Sequence, residues 1–113
     1  MNDTPKPQKH LRAATRRWYA GVVADYQLDP HHLKLLVLCC EAFDRCQEAR
    51  QVLAAEGMTY EDRFGAPKPR PEVAIERDSR LGFARLLREL GLDVASPVEA
   101  PRPRLLPAER RAS

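Results

Sequence analysis

Two histidines and three cysteines share one stretch of this chain: His31, His32, Cys39, Cys40 and Cys46. These are zinc-binding residue types, but structural zinc sites usually gather ligands from turns, as closely spaced Cys pairs. Here Cys39 and Cys46 fall on one seam of a helical pattern, where cysteine packs as a small hydrophobe. The histidines stand a turn or more before them. The spacing therefore predicts buried thiols, with no metal site and no cofactor. Acids are plentiful, yet nearly all stand beside opposite charges at helical spacing, as solvated ion pairs do. The chain carries no G-x-x-x-x-G-K-[ST], no G-x-G-x-x-G and no H-E-x-x-H, so no catalytic motif supports an enzyme.

Phosphate binding is the other chemistry the residues suggest. Arg16-Arg17 precede Trp18-Tyr19, a pairing that elsewhere stacks bases and contacts phosphates. The simpler reading places Trp18 in the core, leaves Tyr19 half-exposed and keeps the arginines in solvent. Lys68 and Arg70 alternate with Pro67, Pro69 and Pro71. Proline holds such a segment extended, so its cations face either a polyanion, an acidic protein or solvent alone. The formal charge is +3 with an isoelectric point near 9.0, and its distribution matters more than its size. Residues 1–17 set Lys6, Lys9, Arg12, Arg16 and Arg17 against Asp3, a local charge of +4. Residues 94–113 carry +2, which leaves the middle at −3. Basic ends on a mildly acidic body suit a polyanion or an acidic partner.

Three helices must position these groups. Leu11, Thr15, Trp18, Val22 and Tyr26 form an amphipathic stripe over about residues 11–26. Asp29-Pro30 is a strong helix start, and Gly57 is a stop, so a long second helix is expected over 30–56. Leu35, Cys39, Ala42, Cys46, Ala49 and Leu53 trace a heptad seam along it. Its first half, LKLLVLCC, is apolar nearly all round, as in helices buried on more than one side. Its second half, EAFDRCQEARQ, is expected to be solvated. A small β-hairpin over 58–70 fits the turn at Phe64-Gly65-Ala66-Pro67, with Pro67 and Pro69 confined to its edge. A third helix starts at Pro71-Glu72, carries Ile75, Ser79, Phe83, Leu86, Leu87 and Leu90 inward, and ends at Gly91. Glu76/Arg80 and Arg85/Glu89 are expected to pair across its outer faces.

The expected fold class is all-α: a three-helix core around a long central helix, with a short extended or hairpin connector before the last helix. Residues 1–9 form a flexible basic arm, 10–93 the core, and 94–113 a Pro-rich tail; both ends are expected to be disordered. A core of this size buries only about 60–65% of its unfolded surface, so self-association is expected. No apolar run is long enough to span a membrane. The N-terminus lacks a secretory h-region, and the odd cysteine count suits a reducing compartment.

The order of these elements carries a resemblance. The long helix of LDPHHLKLLVLCCEAFDRCQEARQVLAAEG ends in Gly57, and an extended segment follows. A G-x-x-K-x-x-P turn comes next (Gly65, Lys68, Pro71), then a helix closing with Leu90-Gly91-Leu92. Over residues 28–93, and more weakly through RRWYAGVVADY, the chain resembles the phage terminase small subunit family, in particular the short group of cos-type tailed phages and prophages. The resemblance implies an all-helical, non-enzymatic subunit that forms a homo-oligomeric ring and binds double-stranded viral DNA near the packaging start. It also implies delivery of that DNA to the large terminase subunit, whose ATPase and nuclease it regulates, in the host cell cytoplasm. Many relatives have an N-terminal helix-turn-helix, whereas here the basic segment leads straight into the first helix. The DNA-contact set therefore rests on charge: Lys6, Lys9, His10, Arg12, Arg16 and Arg17, with Lys68 and Arg70 secondary. Leu35, Leu36, Leu38 and Cys39 are the expected subunit contacts. The alternative is a helical adaptor whose basic tails engage an acidic protein with no direct role for DNA. A transcriptional regulator is a distant third, since no compact base-reading helix stands out.

Overall fold

A computed structural model describes residues 6–92. Three helices, α1 (Ala13–Asp25), α2 (Pro30–Glu56) and α3 (Pro71–Glu89), are joined by a short loop and then by a β-hairpin. The all-helical expectation holds, and so does the position of the hairpin. The arm and tail boundaries fall largely on residues 1–5 and 93–113, outside the described residues.

The helix α2 is the spine. It begins at Asp29-Pro30, where the Asp29 amide reaches His32 Nδ1 at 3.4 Å, and it stops at Gly57, whose amide bonds to Leu53 O at 2.9 Å. Helix α3 returns antiparallel along it: Cys39 meets Phe83, Cys46 meets Glu76, and Glu56 faces Arg70. Helix α1 also runs against α2, with Thr15 beside Asp44 and with Val22 and Leu36 in one cluster. That cluster joins Leu11, Tyr19, Val22, Leu36 and Cys40, with Leu90 and Leu92 packed on it. No residue of α3 is fully buried; its stripe is half-covered, and Ile75 is 37% exposed.

Three expectations are corrected. The buried stripe of α1 is Leu11-Thr15-Tyr19-Val22, so Tyr19 is 2% exposed and Trp18 37%. Positions 18 and 19 fit the helical period equally well beside 15 and 22, and the docking angle of α1 on α2 chose the second. The second half of α2 is not simply solvated: Asp44, Cys46 and Ala49 are buried. Finally, Glu76 pairs with Arg80 at 3.1 Å, but among the described residues Arg85 and Glu89 make no ion pair.

The connector is built to fine detail. Strand β1 (Thr59–Glu61) pairs antiparallel with β2 (Pro67–Pro69) in the register Thr59↔Pro69, Tyr60↔Lys68, Glu61↔Pro67. The flanking bonds Asp62 N–H to Ala66 O (3.0 Å) and Arg70 N–H to Met58 O (2.9 Å) fix which positions bond across. Because bonded and non-bonded pairs alternate, Pro67 and Pro69 fall where no N–H is needed. The turn is a three-residue loop closed by Gly65 N–H to Asp62 O (2.9 Å), with Gly65 at φ +79°. The Asp62 carboxylate accepts the amides of Phe64 (2.8 Å) and Ala66 (3.0 Å). At the far end of α3, Leu92 N–H bonds to Leu87 O and Gly91 N–H to Arg88 O, with Gly91 at φ +75°. That is a Schellman motif, and it gives the Leu-Gly-Leu closure its physical meaning.

Candidate nucleic-acid and partner surfaces

The basic corner is organised by one buried acid. Asp44, 6% exposed, accepts the Arg12 amide on Oδ2 at 2.7 Å and the Thr15 hydroxyl on Oδ1 at 2.5 Å. Helix α1 has no acid in its first turn and no capping side chain of its own. Asp44 reaches over from α2 to take the amide of the residue that precedes the helix and a first-turn hydroxyl, and it sets a negative charge at the positive end of the helix dipole. Arg16 folds back to donate Nη1 to Leu11 O (2.6 Å) and Lys9 O (3.2 Å). His10 Nε2 lies 2.8 Å from Glu41 Oε2. The segment before α1 is thus strapped to both helices.

These ties divide the expected phosphate contacts. Lys6, Lys9, His10 and Arg17 are exposed, whereas Arg12 and Arg16 are half-buried. Arg12 Nη1 is shielded from solvent with no hydrogen-bond partner among the described residues, and His10 already faces a carboxylate. Lys6, Lys9 and Arg17 remain as the open cations of that corner. Lys68 and Arg70 lie elsewhere. They follow the C-terminal end of α2, and the thirteen residues from Asp44 to Gly57 correspond to about 20 Å of helix. Lys68 is exposed, while Arg70 is half-buried and turned toward Glu56 at 3.9 Å. Glu61, Asp62 and Glu72 surround them in sequence, so the hairpin is mixed in charge.

The cysteines and histidines do not converge. Cys39 and Cys40 are fully buried and Cys46 is 5% exposed. Burial pushes the Cys39 thiol up to about 11; burial with neighbouring negative charge takes Cys40 to about 12. Such thiols stay protonated and act as packing groups. Cys46 is raised too, by burial and by Glu76, whose Oε2 it approaches at 3.7 Å. His31 and His32 instead lie near Asp29, their ligand atoms within 4.8 Å of one another on an open surface. His32 Nδ1 is already used by the Asp29 amide.

Of the residues expected at subunit contacts, Leu36 and Cys39 are sealed inside the chain at 0%, because α1 and α3 cover that side of α2. Leu35 is half-buried and Leu38 51% exposed. A second apolar surface lies elsewhere, on residues that the sequence pattern does not mark as contacts. Trp18, Phe43 and Phe83 form an aromatic row, with Phe83 centred 6.2 Å from Trp18 and 5.3 Å from Phe43. Ala14 and Thr15 complete a groove of about 240 Å³, and it continues past Trp18 toward Tyr26, Leu87 and Leu92. The signal for it was Phe43, a large aromatic amid the charged half of α2.

Fold and surfaces define a class: a small helical protein whose chemistry lies on open faces, basic at one corner and aromatic along one groove. Residues 16–101 match the family described as phage terminase, small subunit, and the chain belongs to that family. Comparison with curated proteins and with solved structures returns no match. Among the described residues, no helix is long and apolar enough to cross a membrane.

Proposed function

We propose that this chain is a non-enzymatic genome-packaging subunit that assembles as a homo-oligomeric ring. It binds double-stranded viral DNA through its basic corner and hands it to the large terminase subunit in the host cell cytoplasm. Family membership over residues 16–101 carries the reading. The structure adds support at Lys6, Lys9 and Arg17, which stand free of ion pairs among the described residues. Contacts of this kind are blind to sequence and sensitive to salt. Self-association is supported by a thin core and by Trp18, Phe43, Leu38 and Leu81 lying open on the surface.

A second reading, the protein adaptor, is favoured by the hairpin. Its mixed charge is poorly suited to DNA, yet Met58 is 61%, Tyr60 42% and Phe64 80% exposed. Co-purification with a large ATPase partner separates the two. If capture survives nuclease treatment and free DNA is not retained by the chain at low salt, the adaptor reading holds. If the chain shifts free duplex DNA at low salt, the packaging reading holds.

A further inference from the structure

We infer that the aromatic groove of one subunit receives the hairpin tip of a second copy of this chain, with Phe64 as the inserted side chain. This rests on the proposed self-assembly and deepens it by naming the two faces that meet. Phe64 is the most exposed large apolar residue described, at 80%. It is also firmly presented. Asp62 pins the Phe64 amide at 2.8 Å and the Ala66 amide at 3.0 Å, and its own amide bonds to Ala66 O. A loop backbone held by so many bonds has little freedom left to lose on docking. The groove offers what a phenyl ring seeks: the edges and faces of Trp18, Phe43 and Phe83 around about 240 Å³ of space.

Charge agrees with this pairing at one end of the groove. The tip's Glu61 and Asp62, against Arg63, meet Arg17, adjacent to Trp18 and one turn from Ala14 on α1, while Asp25 lines the far continuation past Trp18. A stable contact needs about 800 Å² from each partner. One buried aromatic contributes only about 150–250 Å², but every strand residue of the hairpin is exposed and can follow Phe64 onto the surface. Tip and groove lie on different parts of the subunit. The contact is therefore head-to-tail, the type that builds rings when its rotation closes.

Two exposed substitutions test this without touching the core. Phe64→Glu removes the inserted ring, and Ala14→Arg fills the groove. Each variant is expected to keep the wild-type circular dichroism and to be monomeric by light scattering, where the wild type is an oligomer. An equimolar mixture has one intact tip and one intact groove, so it is expected to give a 1:1 heterodimer that grows no further. Trp18, the sole tryptophan, should shift its emission to the blue in the heterodimer. If the wild type is oligomeric and either variant keeps its size, or the mixture stays monomeric, the tip-in-groove contact is wrong while self-assembly stands. A monomeric wild type overturns both. A blue-shifted Trp18 at every concentration that moves to the red on deletion of residues 94–113 would assign the groove to the chain's own tail and overturn the contact.

Discussion

Asp44 is the residue on which the basic corner depends. Its two oxygens hold the start of α1, and bonds to a charged acceptor contribute more than neutral ones. Asp44→Ala is expected to lose about 3 kcal/mol of stability, read as a lower urea midpoint; Asp44→Asn, keeping one carbonyl oxygen, recovers part of it. The thiols give a prediction in pH. Their folded pKa values are raised above the ordinary 9.0, to about 11 for Cys39 and about 12 for Cys40. Above pH 9 the unfolded chain sheds protons that the folded chain keeps. Stability contributed by these thiols is thus intact below pH 9 and is lost as pH rises through 11 to 12. In native protein at pH 8, a thiol reagent should leave all three cysteines unmodified and titrate them on unfolding. The Trp18/Tyr19 exchange shows what residue-level reading could not reach. Both positions satisfy the helical period, and only the placement of α1 on α2 decides between them. Asp44 was missed for a similar reason: in sequence it is one charge among many, and its partners lie about thirty residues away.

Among the elements, the hairpin was the most legible. Its glycine, its alternate prolines and its following helix start each demand a particular backbone, so sequence alone located the joint. Gly65 occupies the left-handed region at φ +79° with nothing near its missing Cβ. A side chain there strains the backbone without a clash, by about 1–2 kcal/mol. Gly65→Ala should therefore speed amide exchange at Asp62 and Arg70 by about tenfold, while the exchange of α2 amides is unchanged. The boundaries of α2 were equally plain, because Asp29-Pro30 and Gly57 both mark ends locally. The outer face of α3 was not. Helical spacing puts Arg85 and Glu89 within reach, but nothing in the sequence shows that they decline to meet while Glu76, also beside Cys46, takes Arg80.

For the whole molecule, the sequence told most through charge distribution and family resemblance, and least through surface shape. Charge alone marks seven Lys and Arg residues and one histidine as phosphate contacts. The fold separates them into three open cations, two half-buried arginines tied into the corner, a histidine facing Glu41, and a remote hairpin pair. Arg12 and Arg16 are poor choices for testing DNA contact, since Arg16→Ala would release the strap on Lys9 and Leu11 and confuse loss of charge with loss of structure. The groove was hard to read because it forms where α1, α2 and α3 meet, and in the sequence Phe43 alone hinted at it.

The most direct test is the affinity for duplex DNA measured from about 50 to 200 mM salt, for the wild type and for the Lys6→Ala, Lys9→Ala, Arg17→Ala triple variant. The predicted result is a linear fall in log affinity with log salt, with a slope shallower by about 2–3 in the triple variant. An affinity that is flat across that range, or a slope identical in the two proteins, would contradict DNA binding through this corner.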